Sequence, residues 1–470
     1  MADSPRIGIM IKRAKKEPLK TLKGMHDILP DSVPYYDRVI RETRKVAEYY
    51  GFQTIRTPHI ERLELFTASL GNTSDVVQKQ MYTFRVRGGT PIVLRPEGTA
   101  PLVRAYFEHG MQSWPQPVQL FYNGSFFRHE NPQAGRTREF QQCGLEVIGE
   151  MDSIHDALVV RVLYSALEAL HLRDVIVHIN SIGDKNCRPQ YRKEISAYFR
   201  RRQQSLCRDC KKRLRENPLR ILDCKNEDCV AIKEGVPQMI DFLCEFCKAH
   251  FKSVLEYLDE IAVPYSLDPY LVRGFDYYTK TVFEFFMTDV SKSEVSGKSD
   301  GEDEHTKKEK DTVPANQEKE NKRPAAIAIG SGGRYDDLAN MFYGRAVPGV
   351  GGALGVDRVV AEMKARNLKV RPEISPKVFL IQLGGHAKKK SFLITEELRK
   401  GGISFTHQLS KDSLRGQLKA ASRLDVPYVL IIGQKEAVDG KAILREMTTG
   451  TQEIIPFAKI VSVLKLRLKQ

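Results

Sequence analysis

Five stretches of this chain put charged, aromatic or glycine residues at strand ends and turns in a way that packing alone does not require. "RGFDYYTKTVFEFF" (273–286) runs on as an alternating strand, with Thr279, Thr281, Phe283 and Phe285 on one side and Lys280, Val282, Glu284 and Phe286 on the other. Its front end instead offers Arg273, Gly274, Asp276 and the pair Tyr277–Tyr278. "LRPEGTAPLVR" (94–104) sets Glu97, Gly98 and Thr99 between a strand and a helix, where Thr99 could equally be a plain N-cap. In "FFRHENPQAGRTREFQQCGLEVIG" (126–149), Arg128, His129 and Glu130 leave one strand, and Arg136 and Arg138 flank the turn. Strand alternation then puts Phe140, Gln142, Gly144 and Glu146 on one face. An aromatic, an amide and a carboxylate in one row make a poor core and a plausible ligand floor, or else an exposed charged face. "AIGSGGRYDDL" (328–338) and "VPGVGGALGVDRVV" (347–360) are glycine-rich turns, the second leading into a helix that carries Arg358. Neither has the G-x-G-x-x-G dinucleotide spacing.

Arginines near turns suit phosphate through their planar fork of donors. Arg128, Arg273 and Arg358, the carboxylates Glu97 and Glu146, the Phe140 ring and the tyrosine pair together suit a phosphate-rich ligand with a planar base, alongside a small amino-bearing ligand. That inventory fits nucleotidyl transfer to an amino acid.

The elements that must position these residues read as hairpins and helices in alternation. Residues 35–50 have helical spacing, and "GFQTIRTPHIE" reads as a strand stopped by Pro58. "MYTFRVRGGTPIVLRPE" is a hairpin turning at Gly88–Gly89. Two more strands flank "NPQAGRT", and a helix follows over 152–171. This order favours an α+β domain with a mainly antiparallel sheet over a doubly wound one. We divide the chain into a basic extension (1–20), a first core segment (21–186), a Cys-rich helical insertion (187–261), a second core segment (262–372) and a compact α/β domain (376–470). Residues 289–324 contain no aromatic, Leu, Ile or Met and read as a disordered loop, because burial there cannot offset the ordering entropy. The "GKS" at 297–299 lacks the glycine of a phosphate-binding loop.

The 470 residues carry a net charge of +15, which suggests a polyanionic partner. From 376 to 470 there are 17 Lys or Arg against 8 Asp or Glu, so that terminal domain is the better nucleic-acid candidate. No run approaches the roughly 18 apolar residues of a membrane helix, so no membrane association is expected and a cytoplasmic location is the default. Six of the eight cysteines lie between Cys207 and Cys247. Without a secretory signal, this cluster reads as metal-binding or reduced thiols. Cys207-x2-Cys210 and Cys244-x2-Cys247 have zinc-ribbon spacing, with Cys224 and Cys229 as spare ligands, although they stand further apart than in a compact ribbon.

The motifs, taken in order, resemble class II aminoacyl-tRNA synthetases and, among these, the histidyl-tRNA synthetase family. "KGMHDILP" (23–30) resembles its opening, and "TIRTPHIE" (54–61) its motif 1, which in the class lies at the dimer interface. "FRHE…GRTREFQQCGLEV" resembles motif 2 and "GALGVDRVV" motif 3, while "RGFDYYT" and "GGRYDDL" resemble the two histidine signatures. The resemblance implies ATP with Mg²⁺, histidine and the tRNA for histidine as ligands, a homodimer, and an anticodon-binding role for the last domain. Arg128 and Arg273 would then face the α-phosphate and the reacting carboxylate. Glu130 and Phe140 would hold the adenine and Arg358 the γ-phosphate. Glu97, Gly98, Thr99 and Gln142 would take the ammonium end of histidine, Glu146 and Tyr278 its ring nitrogens, with Tyr277 and Tyr335 closing the pocket. Asp276 reads as structural. Ser331 stands where the family often has a third glycine. Two rivals remain: a histidine-sensing regulatory subunit related to these enzymes, and a tRNA-binding module without catalysis.

Overall fold

The computed structural model describes residues 19–288 and 328–469, apart from 72, 73, 75, 86, 133, 134, 371, 373 and 374. The polar segment 289–324 and most of the basic extension lie outside the described residues. The chain divides between Lys369 and Val370 into two compact units.

In the first unit, α1 (Val33–Tyr49) leads into β1 (Gln53–Thr54), β2 (Ile60–Arg62) and α2 (Leu63–Leu70). The hairpin β3 (Thr83–Arg85) and β4 (Pro91–Leu94) is followed by α3 (Thr99–Glu108) and the long pair β5 (Val118–Phe127) and β6 (Glu139–Ile148). Helix α4 (Ile154–Ala169) and β7 (Val175–Ser181) precede the helices α5 (Arg188–Arg200), α6 (Arg208–Glu216), α7 (Glu227–Lys233) and α8 (Glu245–Glu260). Strands β8 (Tyr265–Leu267), β9 (Thr279–Met287) and β10 (Gly330–Arg334), helix α9 (Asn340–Tyr343), strand β11 (Gly349–Gly355) and helix α10 (Val356–Ala365) complete it.

The main sheet has eight strands in the order β1-β5-β6-β11-β10-β9-β7-β8. Only β1–β5 and β7–β8 pair in parallel, so the sheet is mainly antiparallel, as expected. Strands β2, β4 and β3 form a separate small sheet. The strand expected to stop at Pro58 is the short β1, and the residues after the proline form β2 in a different sheet. Proline has no N–H for a ladder, which marks the break.

Sheet positions decide which residues can reach a ligand. On β9, Phe283 packs against Gly332 and Gly352 on the side covered by Leu163 of α4, while Glu284 and Phe286 face a cavity on the other side. The glycine-rich run on β11 splits the same way. A Cβ on Gly352 would meet Leu163, and one on Gly351 would collide with the Glu146 carboxylate. Simple alternation on β9 fails at Lys280, whose φ is +48° and where the β9–β10 register shifts. Lys280 is held there by a 2.7 Å ion pair to Asp336 and by backbone bonds to the 182–183 turn.

Beneath the sheet, Arg334 is fully buried and donates to Asp156, Asp336 and the carbonyls of Glu150 and Asp152. Asp156 also faces His250 of α8 at 3.4 Å. Burial pushes the Asp156 carboxyl up, but Arg334 and then His250 overcome it and hold it well below the usual carboxylate range.

The second unit runs β12 (Val378–Gln382), α11 (Gly385–Lys400), β13 (Phe405–His407), α12 (Leu414–Arg423) and β14 (Tyr428–Ile432), then α13 (Gln434–Asp439), β15 (Lys441–Glu446), β16 (Gln452–Pro456) and α14 (Ile460–Arg467). The first three strands are parallel, and β15 and β16 add an antiparallel edge that the strand–helix alternation did not announce. Val378, Leu380, Leu430 and Ile432 pack with Ile394 of α11, and Phe379, Ile381 and Val429 with Ala421 of α12. Both faces of β12 and β14 are therefore covered, which explains their unbroken apolar runs.

Arg334→Met leaves Asp156 with only His250 for charge compensation. Urea unfolding of the first unit should show a loss of about 3–5 kcal/mol, and a loss under about 1 kcal/mol would mean that the pair does not anchor α4 to β10.

Candidate active site

The pocket-facing side of the main sheet floors a cavity of about 390 Å³. Its residues come from the α3 entry, the β5–β6 hairpin, the turn before β9, and β11 with the start of α10.

Glu97 sits in the turn before α3, 4% exposed, and accepts the backbone N–H groups of Thr99 (2.7 Å) and Ala100 (2.9 Å). Glu97 thus does the capping that the sequence suggested for Thr99. Thr99 turns inward and donates to Glu146 Oε1 at 2.8 Å. Burial raises the Glu97 pKa, opposed by those two N–H groups and by the Arg128 charge.

Glu146 lies on β6 opposite Leu120 of β5 and Gly351 of β11, 1% exposed. Its Oε2 accepts Tyr335 O–H at 2.5 Å. Burial pushes its carboxyl up to about 8; the Tyr335 and Thr99 hydroxyls pull it down, and the Glu97 charge adds to the rise. Gly144, two residues earlier on the same face, leaves room for the Tyr122 ring from β5.

The arginines line the same cavity. Arg128 follows β5, donates Nε to Pro96 O at 2.9 Å, and spans the rings of Phe140 and Phe275 at 5.1 and 5.5 Å. Glu130 stands 3.9 Å from Arg128 and 3.7 Å from Arg136. Arg273 pairs with Glu284 on β9, donates Nη2 to Ser331 at 2.8 Å, and lies 5.6 Å over Tyr278, while its buried Nε has no hydrogen-bond partner among the described residues. Ser331, the departure from the family pattern, therefore helps fix an arginine. Arg358, in the first turn of α10, donates to the carbonyls of Gly135 (3.0 Å) and Ala328 (2.6 Å). Its neighbour Asp357 accepts Tyr36 O–H and Gln141 N–H, locking α10 to α1 and β6.

Glu97, Gly98, Thr99, Arg128, Glu130, Phe140, Gln142, Glu146, Arg273, Tyr277, Tyr278 and Arg358 all line this one cavity. Tyr335 does not: it is buried behind Glu146 and acts on it from below. Tyr277 O–H stands 3.4 Å from Glu97. Asp276 points away from the cavity and accepts Asn217 Nδ2 at 3.0 Å. Gly274 has an ordinary φ, and a Cβ there would meet nothing within 4 Å, so it leaves space open rather than making a special turn. Sequence reasoning missed Glu284 as the Arg273 partner, although its parity on β9 was readable. It also missed a wall formed by Arg220, Asp223 and Lys225, which only the fold brings to the cavity.

The cysteine-rich insertion departs from the ribbon pairing. Cys207 and Cys210 converge with Cys224 and Cys229, whereas Cys244 and Cys247 converge with Cys187 and Asp184.

An antiparallel sheet carrying arginines and an ordered carboxylate pocket on one face, followed by a separate α/β unit, is the architecture of a class II aminoacyl-tRNA synthetase. The family model described as Histidyl-tRNA synthetase matches residues 24–297, and the one described as Anticodon binding domain matches 377–467. A histidine–tRNA ligase of Halothermothrix orenii is 39% identical over 94% of this chain and 98% of its own length. One from Caldicellulosiruptor bescii is 40% identical, covering 95% and 99%. The structure of apo histidyl-tRNA synthetase from S. aureus aligns with a TM-score of 0.74 at 30% identity, over 95% of this chain and all of that one. The chain belongs to the histidyl-tRNA synthetase family.

A raised native pKa means that Glu146 keeps its proton in the folded state after the unfolded chain has lost it, so its contribution to stability fades as pH rises from about 4.5 through about 8. Unfolding free energies of the wild type, minus those of Glu146→Gln, should fall by about 1.4 kcal/mol per pH unit across that window. Parallel profiles would show that Glu146 ionises normally.

Proposed function

We propose that this protein attaches histidine to its tRNA at the expense of ATP, through a histidyl-adenylate, at the cavity on the main sheet. The observation that carries the reading is that Glu146, held by Thr99 and Tyr335, lines the same cavity as Arg128, Arg273 and Arg358.

In the first step a histidine carboxylate oxygen attacks the α-phosphorus, and the bond to the β-phosphate oxygen breaks to release pyrophosphate. No protein nucleophile is needed. Arg128 and Arg273 stabilise negative charge as it shifts on the α-phosphate and carboxylate, and their partners Pro96, Glu284 and Ser331 fix them beforehand. Phe140 supplies a face for the adenine and Glu130 an acceptor for its amino group, with Arg358 meeting the γ-phosphate. Mg²⁺ carried in on ATP would spread the phosphate charge, and the carboxylate of Glu284 in the cavity lining is the hard oxygen group that would suit it. Glu97, Thr99 and Gln142, with the Gly98 backbone, receive the ammonium group. Glu146 and Tyr278 take the two ring nitrogens, with Tyr277 beside them, so a substrate lacking either nitrogen leaves a buried polar group unpaired. In the second step a hydroxyl of the terminal tRNA adenosine attacks the acyl carbon and AMP leaves.

The basic unit from Val370 onward is assigned to the anticodon, following its match to that domain. We assign a cytoplasmic homodimer that uses the region around Pro58, where Ile60 is exposed on β2. Among the described residues no helix is long and apolar enough to cross a membrane. We also assign structural zinc to the cysteine-rich insertion.

Exchange of labelled pyrophosphate into ATP should depend on histidine alone among the amino acids and fall at least about 100-fold in Arg273→Ala. Histidine binding without any exchange in the wild type would make this chain a sensor instead.

A further inference from the structure

The insertion holds two clusters of metal-ligating groups, and the pairing within each differs from the sequence spacing. In one, the sulfurs of Cys207, Cys210, Cys224 and Cys229 all lie within 4.8 Å of one another. In the other, a carboxylate oxygen of Asp184 and the sulfurs of Cys187, Cys244 and Cys247 meet the same limit. We propose that each cluster binds one zinc ion, giving each chain one site of four thiolates and one of three thiolates and a carboxylate, apart from the catalytic cavity.

The geometry suits a single tetrahedral ion. A zinc–sulfur bond of about 2.3 Å puts tetrahedral sulfurs about 3.8 Å apart, and Cys207 Sγ lies 3.9 Å from Cys224 Sγ. That distance is far beyond the roughly 2.05 Å of a disulfide, and all eight cysteines are free. Seven of them belong to these two sets; the eighth, Cys143, is buried on β6.

Each set is also built to hold thiolates. Cys207, Cys187 and Cys244 are the N-cap residues of α6, α5 and α8, where the helix dipole favours negative charge. Backbone N–H groups aim at the sulfurs: Cys207 N at Cys229 Sγ (3.3 Å), Cys210 N at Cys207 Sγ (3.5 Å) and Cys244 N at Cys187 Sγ (3.1 Å). Zinc with four anionic ligands keeps a net negative charge, and cations stand ready to balance it. Lys233 donates to the carbonyls of Leu222 (2.7 Å) and Cys224 (2.9 Å) in the first site. Arg188 follows Cys187 directly at the second.

Both sites adjoin the catalytic pocket. The first site includes Cys224, whose neighbours Asp223 and Lys225 line the cavity wall. The second includes Asp184, next to Gly183, whose carbonyl accepts Lys280 N–H at 2.8 Å immediately beyond Tyr277–Tyr278. Arg188 donates to the Tyr278 carbonyl, and Phe246, between the two ligating cysteines of α8, lies 5.0 Å from the Lys280 ammonium. Two ions would pin the insertion to the turn and wall that shape the pocket.

The test is metal analysis of full-length, untagged protein by mass spectrometry after dialysis. The expected content is two zinc per chain, falling to one in Cys229→Ser and to one in Cys247→Ser. One or none in the wild type, or iron in place of zinc, overturns the proposal. Should the variants fail to fold, zinc X-ray absorption of the wild type decides. An average shell of about 3.5 sulfurs at about 2.3 Å and half an oxygen per zinc supports the two sets, and an oxygen- or nitrogen-rich shell refutes them. Neither readout depends on histidine or ATP, so the result stands apart from that of the exchange assay.

Discussion

A carboxyl group almost wholly removed from water, fixed by two hydroxyl donors on the floor of a sheet, sets the terms for the rest of this structure. Glu146 can sit where it does only because Gly351 on the adjoining strand has no side chain to occupy the same space. Thr99 reaches it because Glu97 has taken over the capping of α3. Tyr335 reaches it from beneath, at the end of β10, whose last residue is the buried Arg334. Leaving such a carboxyl without partners would cost several kcal/mol. Strand register, helix entry and the buried ion network are all arranged so that it has them.

The carboxylates and the arginines of the cavity are organised on different principles. Around Glu146, burial dominates and pushes the carboxyl up to about 8, so a ligand that favours the carboxylate draws its proton off. Around Arg128, Arg273 and Arg358, burial also disfavours the charge, yet carboxylates and carbonyls hold the guanidinium groups at fixed positions before any ligand arrives. That preorganisation lets charge move in the reaction with little rearrangement.

What was legible in the sequence was mostly periodic. Phe140, Gln142 and Glu146 share a cavity because strand alternation is insensitive to distant contacts. The parallel half of the second unit was readable for a similar reason, since strands covered on both faces show as unbroken apolar runs. Features set by long-range pairing were not. Asp156 and Arg334 are 178 residues apart, and nothing local marks either as buried. The kink at Lys280 depends on the 182–183 turn and on Asp336, so period-2 counting ran straight through it. The cysteines show the same limit. C-x-x-C spacing pairs Cys207 with Cys210 and Cys244 with Cys247, while the fold brings each pair to different partners, one of them an aspartate.

The central claim is that an ionised Glu146 recognises histidine and that the free pocket keeps it protonated. Calorimetry of histidine binding at pH 7, repeated in buffers of different ionisation enthalpy, measures this directly. With a free carboxyl near 8, the wild type should release close to one proton per histidine bound. Glu146→Gln should release about one fewer and bind at least about 30-fold more weakly. Binding with no proton release, or with affinity unchanged in Glu146→Gln, would contradict the account.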